Sequence, residues 1–158
     1  MIIMGIDPGI AITGWGVIRA QNRQPSCVDV GVITTDKADA LEERLAILFT
    51  DMNQLLKRYR PDVVVLEQLF FNTNAKTALT VGHARGVIML AARQFGSRLF
   101  AYTPLQVKVA ITGYGRADKN QIQQMVTKLL KLDQIPQPDD AADALAIALT
   151  HGFSTRLG

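Results

Sequence analysis

Two short apolar runs in this chain each end on a carboxylate: Ile2-Ile3-Met4-Gly5-Ile6 on Asp7, and Val63-Val64-Val65-Leu66 on Glu67. Neither run alternates polar with apolar residues. Strands of this kind need apolar cover on both faces, which points to a sheet sandwiched between helices. A carboxylate closing such a strand needs a partner, because burying it unpaired is costly. Ordinary partners exist. Asp7 precedes Pro8-Gly9 and is placed to bond turn N–H groups. Glu67 reads equally as an exposed strand end or a salt-bridge partner. The other account is a shared site, with the two strand ends side by side at the edge where α/β proteins hold their ligands.

The rest of the chain supports an α/β reading. Residues 13–19 and 28–35 read as two more strands, close enough in sequence to the first to form an antiparallel meander. Residues 38–59 carry Leu41, Leu45, Leu48, Met52, Leu55 and Tyr59 at helical spacing. Residues 62–67 form a fourth strand and 98–102 a fifth, separated by a helix over 73–95. That helix is rich in small residues (Gly82, Ala84, Gly86, Ala91, Ala92) that permit close approach, either within the fold or between subunits. Thr103-Pro104 is an N-cap followed by proline at the first helical position. Asp118 caps a helix running to Lys131, with Gln121 in the capping-box position. A last helix covers 139–151. The order β-β-β-α-β-α-β-α-α predicts a ribonuclease H-like α/β fold: a five-stranded mixed sheet, three antiparallel strands plus a parallel pair, flanked by helices. With 158 residues and no linker, repeat or low-complexity stretch, a single domain over 1–158 is expected.

The start of the last helix carries Asp139, Asp140 and Asp143, after which every residue to Leu149 is apolar. Asp143 shares a face with both Asp140 and Asp139. Capping explains an acid in a first turn but accounts poorly for Asp143, which sits deeper among alanines. Like charges at this spacing repel unless a cation lies between them, so the pattern favours metal binding over capping. Spacing alone does not choose between Asp139 and Asp140. Oxygen-only ligation selects hard ions, magnesium with manganese as a substitute. The single cysteine, Cys27, and two lone histidines, His83 and His151, offer no zinc set. His151 is most simply a helix-dipole partner. Three or four acids at two ions about 4 Å apart form a clamp for phosphodiester hydrolysis, with Lys119 or Lys108 to stabilise charge on the phosphate.

Charge is unevenly spread. Between Arg98 and Lys131 there are six basic residues and one acid, a local balance of +5 beside the acidic stretch that follows. A polyanion held over bound metal fits this, as does a solvated basic helix face. No apolar run is long enough to span a bilayer, and the N-terminal run lacks the basic start of a signal peptide. A cytoplasmic protein without membrane association is expected.

An ordered set of motifs carries a family resemblance over almost the whole chain. It runs through Gly5-Ile6-Asp7-Pro8-Gly9, Thr13-Gly14-Trp15-Gly16, Leu66-Glu67-Gln68, Asn74-Ala75 and Gly82-His83-Ala84-Arg85-Gly86. It continues through Gln106-Val107-Lys108, Gly113-Tyr114-Gly115-Arg116-Ala117-Asp118-Lys119 and Asp140-Ala141-Ala142-Asp143-Ala144-Leu145. In these the chain resembles the RuvC family of bacterial Holliday junction resolvases. The resemblance implies a homodimer that makes paired symmetric nicks in four-way DNA junctions, in homologous recombination and DNA repair, leaving 5′-phosphate and 3′-hydroxyl ends. It implies Asp7, Glu67, Asp140 and Asp143 as catalytic metal ligands for two Mg²⁺ ions, and selects Asp140 over Asp139. It places Lys108 and Lys119 near the scissile phosphate, with Lys119 catalytic, and Phe70 against junction bases. Arg85 and Arg116 are further candidates for DNA contact. Cooperation with the RuvA and RuvB branch-migration proteins is also implied. Alternatives are a related nuclease with another nucleic-acid substrate, or a junction binder without turnover. A sugar-kinase-like ATPase, suggested by Asp-Pro-Gly, would need a second domain and a second phosphate loop.

Overall fold

The computed structural model describes residues 1–21, 24–68 and 75–155. Strands β1 (Ile2–Asp7), β2 (Ile12–Gln21) and β3 (Gln24–Thr34) form the antiparallel meander. Helix α1 (Leu41–Tyr59) leads to β4 (Val63–Glu67), parallel to β1. Helix α2 (Ala75–Phe95) leads to β5 (Arg98–Tyr102), parallel to β4. Helices α3 (Pro104–Thr112), α4 (Lys119–Leu129) and α5 (Asp139–Ser154) follow. The sheet order is β3-β2-β1-β4-β5, as the ribonuclease H-like reading requires.

Three helices follow β5, where the expected order counted two. The Thr103 capping box starts a separate nine-residue helix, which Gly113 ends at φ 75°. Two boundaries also move for local reasons. β3 begins at Gln24, four residues early, because the hairpin pairs down to Gln21 opposite Gln24. α1 begins at Leu41 because the Asp36 side chain and carbonyl first close a turn onto Ala38 and Asp39.

Strand parity divides the molecule into two cores. Met4, Ile6, Val64 and Leu66 face α1 and α2, where Leu48, Met52, Leu56, Ala84, Ile88, Ala91 and Ala92 meet them. The fully buried line on α1 is Leu48-Met52-Leu56; Leu55 and Tyr59 flank it and Leu41 is exposed. Ile3, Val63 and Val65 face the other way, against α3, α4 and α5. Both apolar runs are thus covered on both faces.

Helix α5 lies directly on β1 and β2 because glycines leave room for it. A Cβ on Gly5 would stand 2.0 Å from the Ala144 carbonyl oxygen, and one on Gly14 would stand 1.9 Å from that of Asp140. The small residues of α2 divide differently. Ala84, Ala91 and Ala92 pack inward, whereas a Cβ on Gly82 or Gly86 would meet nothing within 4 Å.

His151 is fully buried near the end of α5, with Nδ1 2.9 Å from the Tyr102 hydroxyl and its ring against Phe100. Burial, and then Arg98, hold its imidazole below the ordinary value. The ring is therefore a neutral core group rather than the charged dipole partner expected from sequence.

Gly14→Ala is expected to lower stability by about 3 kcal/mol, the upper end for overpacking, because the obstacle is backbone that cannot rotate away. Gly82→Ala in dilute protein should instead gain up to about 1 kcal/mol of helix propensity. Urea unfolding of the two variants checks both signs.

Candidate active site

Asp7 and Glu67 reach one edge by register. Ile6 pairs with Leu66 in the parallel β1–β4 ladder, so the two acids occupy the next step of adjacent strands. Asp7 shares parity with Ile3 and Gly5, and Glu67 with Val63 and Val65, so both point toward the α5 side. The turn after β1 does not use the Asp7 carboxylate. Thr13 closes it through Gly9, and the Thr35 hydroxyl donates to the Ile10 carbonyl. On the far side of the sheet the Arg85 guanidinium, half-buried on α2, donates to the Glu67 carbonyl and fixes that strand end.

α5 brings the remaining acids. Its N-cap is Pro138, with no side-chain capping bond, so Asp139 and Asp140 are not held as caps. Gly14, opposite Asp7 on β2, touches the Asp140 backbone and seats the helix start beside Asp7. Asp143, one turn on, is the one residue between Ala141 and Gly152 that is not buried. Its carboxyl interacts directly with that of Asp7, and the two raise or lower each other's proton affinity. Lys119, the first residue of α4, lies 3.3 Å from Asp143 and 3.2 Å from Asp139.

The electrostatics are those of crowded anions. Burial, then the charges of Asp143, Glu67 and Asp140, push the Asp7 carboxyl up to about 8. Glu67 is also raised, by burial and by Asp143, against the opposing pull of Lys119 and Lys108. Burial raises Asp143 even though Lys119 and the contact with Asp7 pull it down. Burial tends to lower the Lys119 ammonium, but Asp143 and Asp139 more than reverse it. Without another cation, the raised Asp7 carboxyl and the Lys119 ammonium offset the crowded negative charge.

This donor set fits a hard divalent ion: oxygen ligands only, crowded enough that their mutual repulsion needs positive charge. Among the described residues no three ligating side chains already converge on one point. A cation would compete with a proton on these carboxyls and with the Lys119 ammonium, not drop into a finished cage. A cleft of about 270 Å³ opens beside the acids, with Glu67, Asp143, Lys108 and Lys119 around a floor of Val107, Ala146 and Ile147. A second, of about 460 Å³, lies on the Asp140 side between residues 9–12 and the first turns of α2. Arg116 is exposed in the α3–α4 loop. Phe70, with neighbouring Asn74, lies outside the described residues.

Residues 3–151 match the family described as crossover junction endodeoxyribonuclease RuvC. The chain belongs to the RuvC family. A RuvC of Ruminiclostridium cellulolyticum is 54% identical over 158 residues, covering 100% of this chain and 95% of that protein. A Thermus thermophilus RuvC structure superposes with TM-score 0.93 at 37% identity, covering 100% of this chain and 97% of that one. A structure of T. thermophilus RuvC in complex with Holliday junction substrate gives TM-score 0.92 at 35% identity, with the same coverage. The chain is thus a crossover junction endodeoxyribonuclease of ribonuclease H-like fold, from a metal-dependent family. Sequence reasoning missed two supports of the site: Gly14, and the Gln123–Asp139 bond beneath Lys119. The alternating glycines of Thr13-Gly14-Trp15-Gly16 were a signal for the first; nothing local announces the second.

Folding raises the Asp7 carboxyl from its ordinary 3.8, so the metal-free fold binds a proton that the unfolded chain releases. That contribution is complete below about pH 4 and is lost as pH rises toward about 8. In EDTA, Asp7→Asn should therefore melt above wild type at pH 8, with the gap closing toward pH 4. Added Mg²⁺ should raise only the wild-type melting temperature.

Proposed function

We propose that this chain, as a single ribonuclease H-like domain, resolves four-way DNA junctions by metal-dependent phosphodiester hydrolysis, with Asp7, Glu67, Asp140 and Asp143 as the metal ligands. The observation that carries this is the gathering of acids from β1, β4 and α5 at one edge, in a chain that matches the RuvC family along nearly its whole length. The donors suit two Mg²⁺ ions, with Mn²⁺ as substitute. Such ions supply an activated water and stabilise charge on the leaving oxygen.

The chain's own groups do the rest. Lys108 and Lys119 rim the cleft with Glu67 and Asp143, which supports a role for both ammonium groups in stabilising charge on a phosphate over the acids. Arg116 offers a solvent-facing charge to a neighbouring phosphate. Arg85 holds the Glu67 carbonyl from behind and is, with Arg116, a weaker candidate for phosphate contact than the two lysines. Phe70 is assigned to stacking on a junction base, worth about 1–3 kcal/mol.

Paired cuts need two such sites, and α2 offers a face for a second copy. Leu79 and Leu90 are 65% and 53% exposed, Met89 is 38% exposed, and Gly82 and Gly86 leave space around them. Family membership alone points to work alongside RuvA and RuvB. No helix among the described residues is long and apolar enough to cross a membrane.

With Mg²⁺, wild type should cut a synthetic four-way junction far faster than a linear duplex or an RNA–DNA hybrid. Asp7→Asn should lose more than about 100-fold in rate while still binding, since outer-shell changes alone reach that scale at metal sites. Cleavage that persists in excess EDTA would refute the metal mechanism, and equal cutting of all three substrates would refute the junction assignment. Leu90→Glu should shift the sedimenting species from dimer to monomer; an unchanged mass would remove α2 as the contact.

A further inference from the structure

Asp139 has no part in the metal set proposed above, yet it is the best-anchored of the acids. Its Oδ1 accepts a 3.0 Å hydrogen bond from Gln123 Nε2, and its Oδ2 lies 3.2 Å from Lys119 Nζ. Gln123 is buried on α4, so its amide is fixed by the core. The backbone of Lys119 is fixed too, because it directly follows Asp118, whose capping box with Gln121 starts the helix. Only the outer part of the lysine side chain is free to move, and it is shared between two carboxylates. One, Asp143, belongs to the proposed metal set. The other, Asp139, does not.

A divalent ion and an ammonium group at one carboxylate repel each other and compete for its lone pairs. The Lys119 ammonium lies 3.3 Å from Asp143 Oδ2. A cation arriving at Asp143 therefore weakens that contact and favours a shift of the ammonium toward its other partner. A lysine with no second partner would lose its ion pair and swing into solvent, and that loss would oppose metal uptake. With Asp139 in place the lysine keeps a carboxylate and stays at the rim of the cleft beside Lys108.

We propose that Asp139 is a positioning residue for Lys119: it takes over the ammonium when metal claims Asp143, easing metal entry and keeping the lysine over the cleft. This rests on the metal-nuclease reading. It also differs from an ordinary half-exposed surface ion pair, which would contribute little.

A double-mutant cycle on the full chain tests it, with Mn²⁺ titrated into DNA-free protein by calorimetry. Asp139→Asn should weaken Mn²⁺ binding about five-fold, within the coupling expected of contacting groups. Lys119→Met should tighten binding by removing the competitor. In the Lys119→Met background, Asp139→Asn should change affinity less than about two-fold, because its effect passes through the lysine. At saturating Mn²⁺, Asp139→Asn should slow single-turnover junction cleavage about five-fold, again as lysine coupling, without tightening junction binding. A mere surface charge would instead tighten DNA binding and leave the rate unchanged. The same loss of Mn²⁺ affinity in both backgrounds, or no loss in either, overturns the proposal and leaves the metal site standing. Failure of wild type to take up Mn²⁺ overturns the metal reading and the proposal together.

Discussion

The seating of α5 on the glycine-lined surface of β1 and β2 is the contact on which the other features depend. Gly5 and Gly14 let backbone meet backbone at separations no side chain would permit. The same contact fills the core on that side of the sheet and brings the start of α5 to the end of β1. Asp140 and Asp143 therefore meet Asp7 as a consequence of packing. A helix held away by ordinary side-chain thickness would leave the acids apart, with each strand end free to be satisfied by water.

Bringing these groups together has an electrostatic consequence. Half-buried carboxylates raise one another's proton affinity, and the fold answers with a proton on Asp7 and with Lys119. Both are cations that a metal can replace. On the proposed metal reading, this charge imbalance would favour ion uptake, with the surrounding packing fixing where the charge sits. Arg85 below Glu67 and Gln123 below Asp139 show the same principle in supporting groups: each bonds an atom next to the site and leaves the site's face open.

The two sides of the sheet divide the labour. The α1–α2 side is a conventional apolar core that fixes register between β1 and β4, and with it the alignment of Asp7 and Glu67. The α3–α4–α5 side carries the acids and both cleft lysines. Lys119 and Gln123 both bridge α4 to α5, so movement between these helices would alter the contacts at Asp139 and Asp143.

Local chemistry made much of this legible in the sequence. Unbroken apolar runs determined strands covered on both faces, Thr103 before Pro104 and the Asp118 capping box announced their helices, and strand parity follows from alternation alone. These depend on residues close in the chain. Contacts between distant elements were decided only by the tertiary structure. Asp139 and Asp140 are neighbours in sequence but about 100° apart around the helix, so one bonds α4 and the other packs on Gly14 of β2. Spacing could not tell them apart, and packing separates them. The outward Gly82 and Gly86 and the inward Ala84 and Ala91 likewise read alike in sequence until the helix acquires a buried side. His151 shows the reverse case: its place near a helix end suggested a charge, and burial beside Tyr102 and Phe100 made it a neutral part of the core.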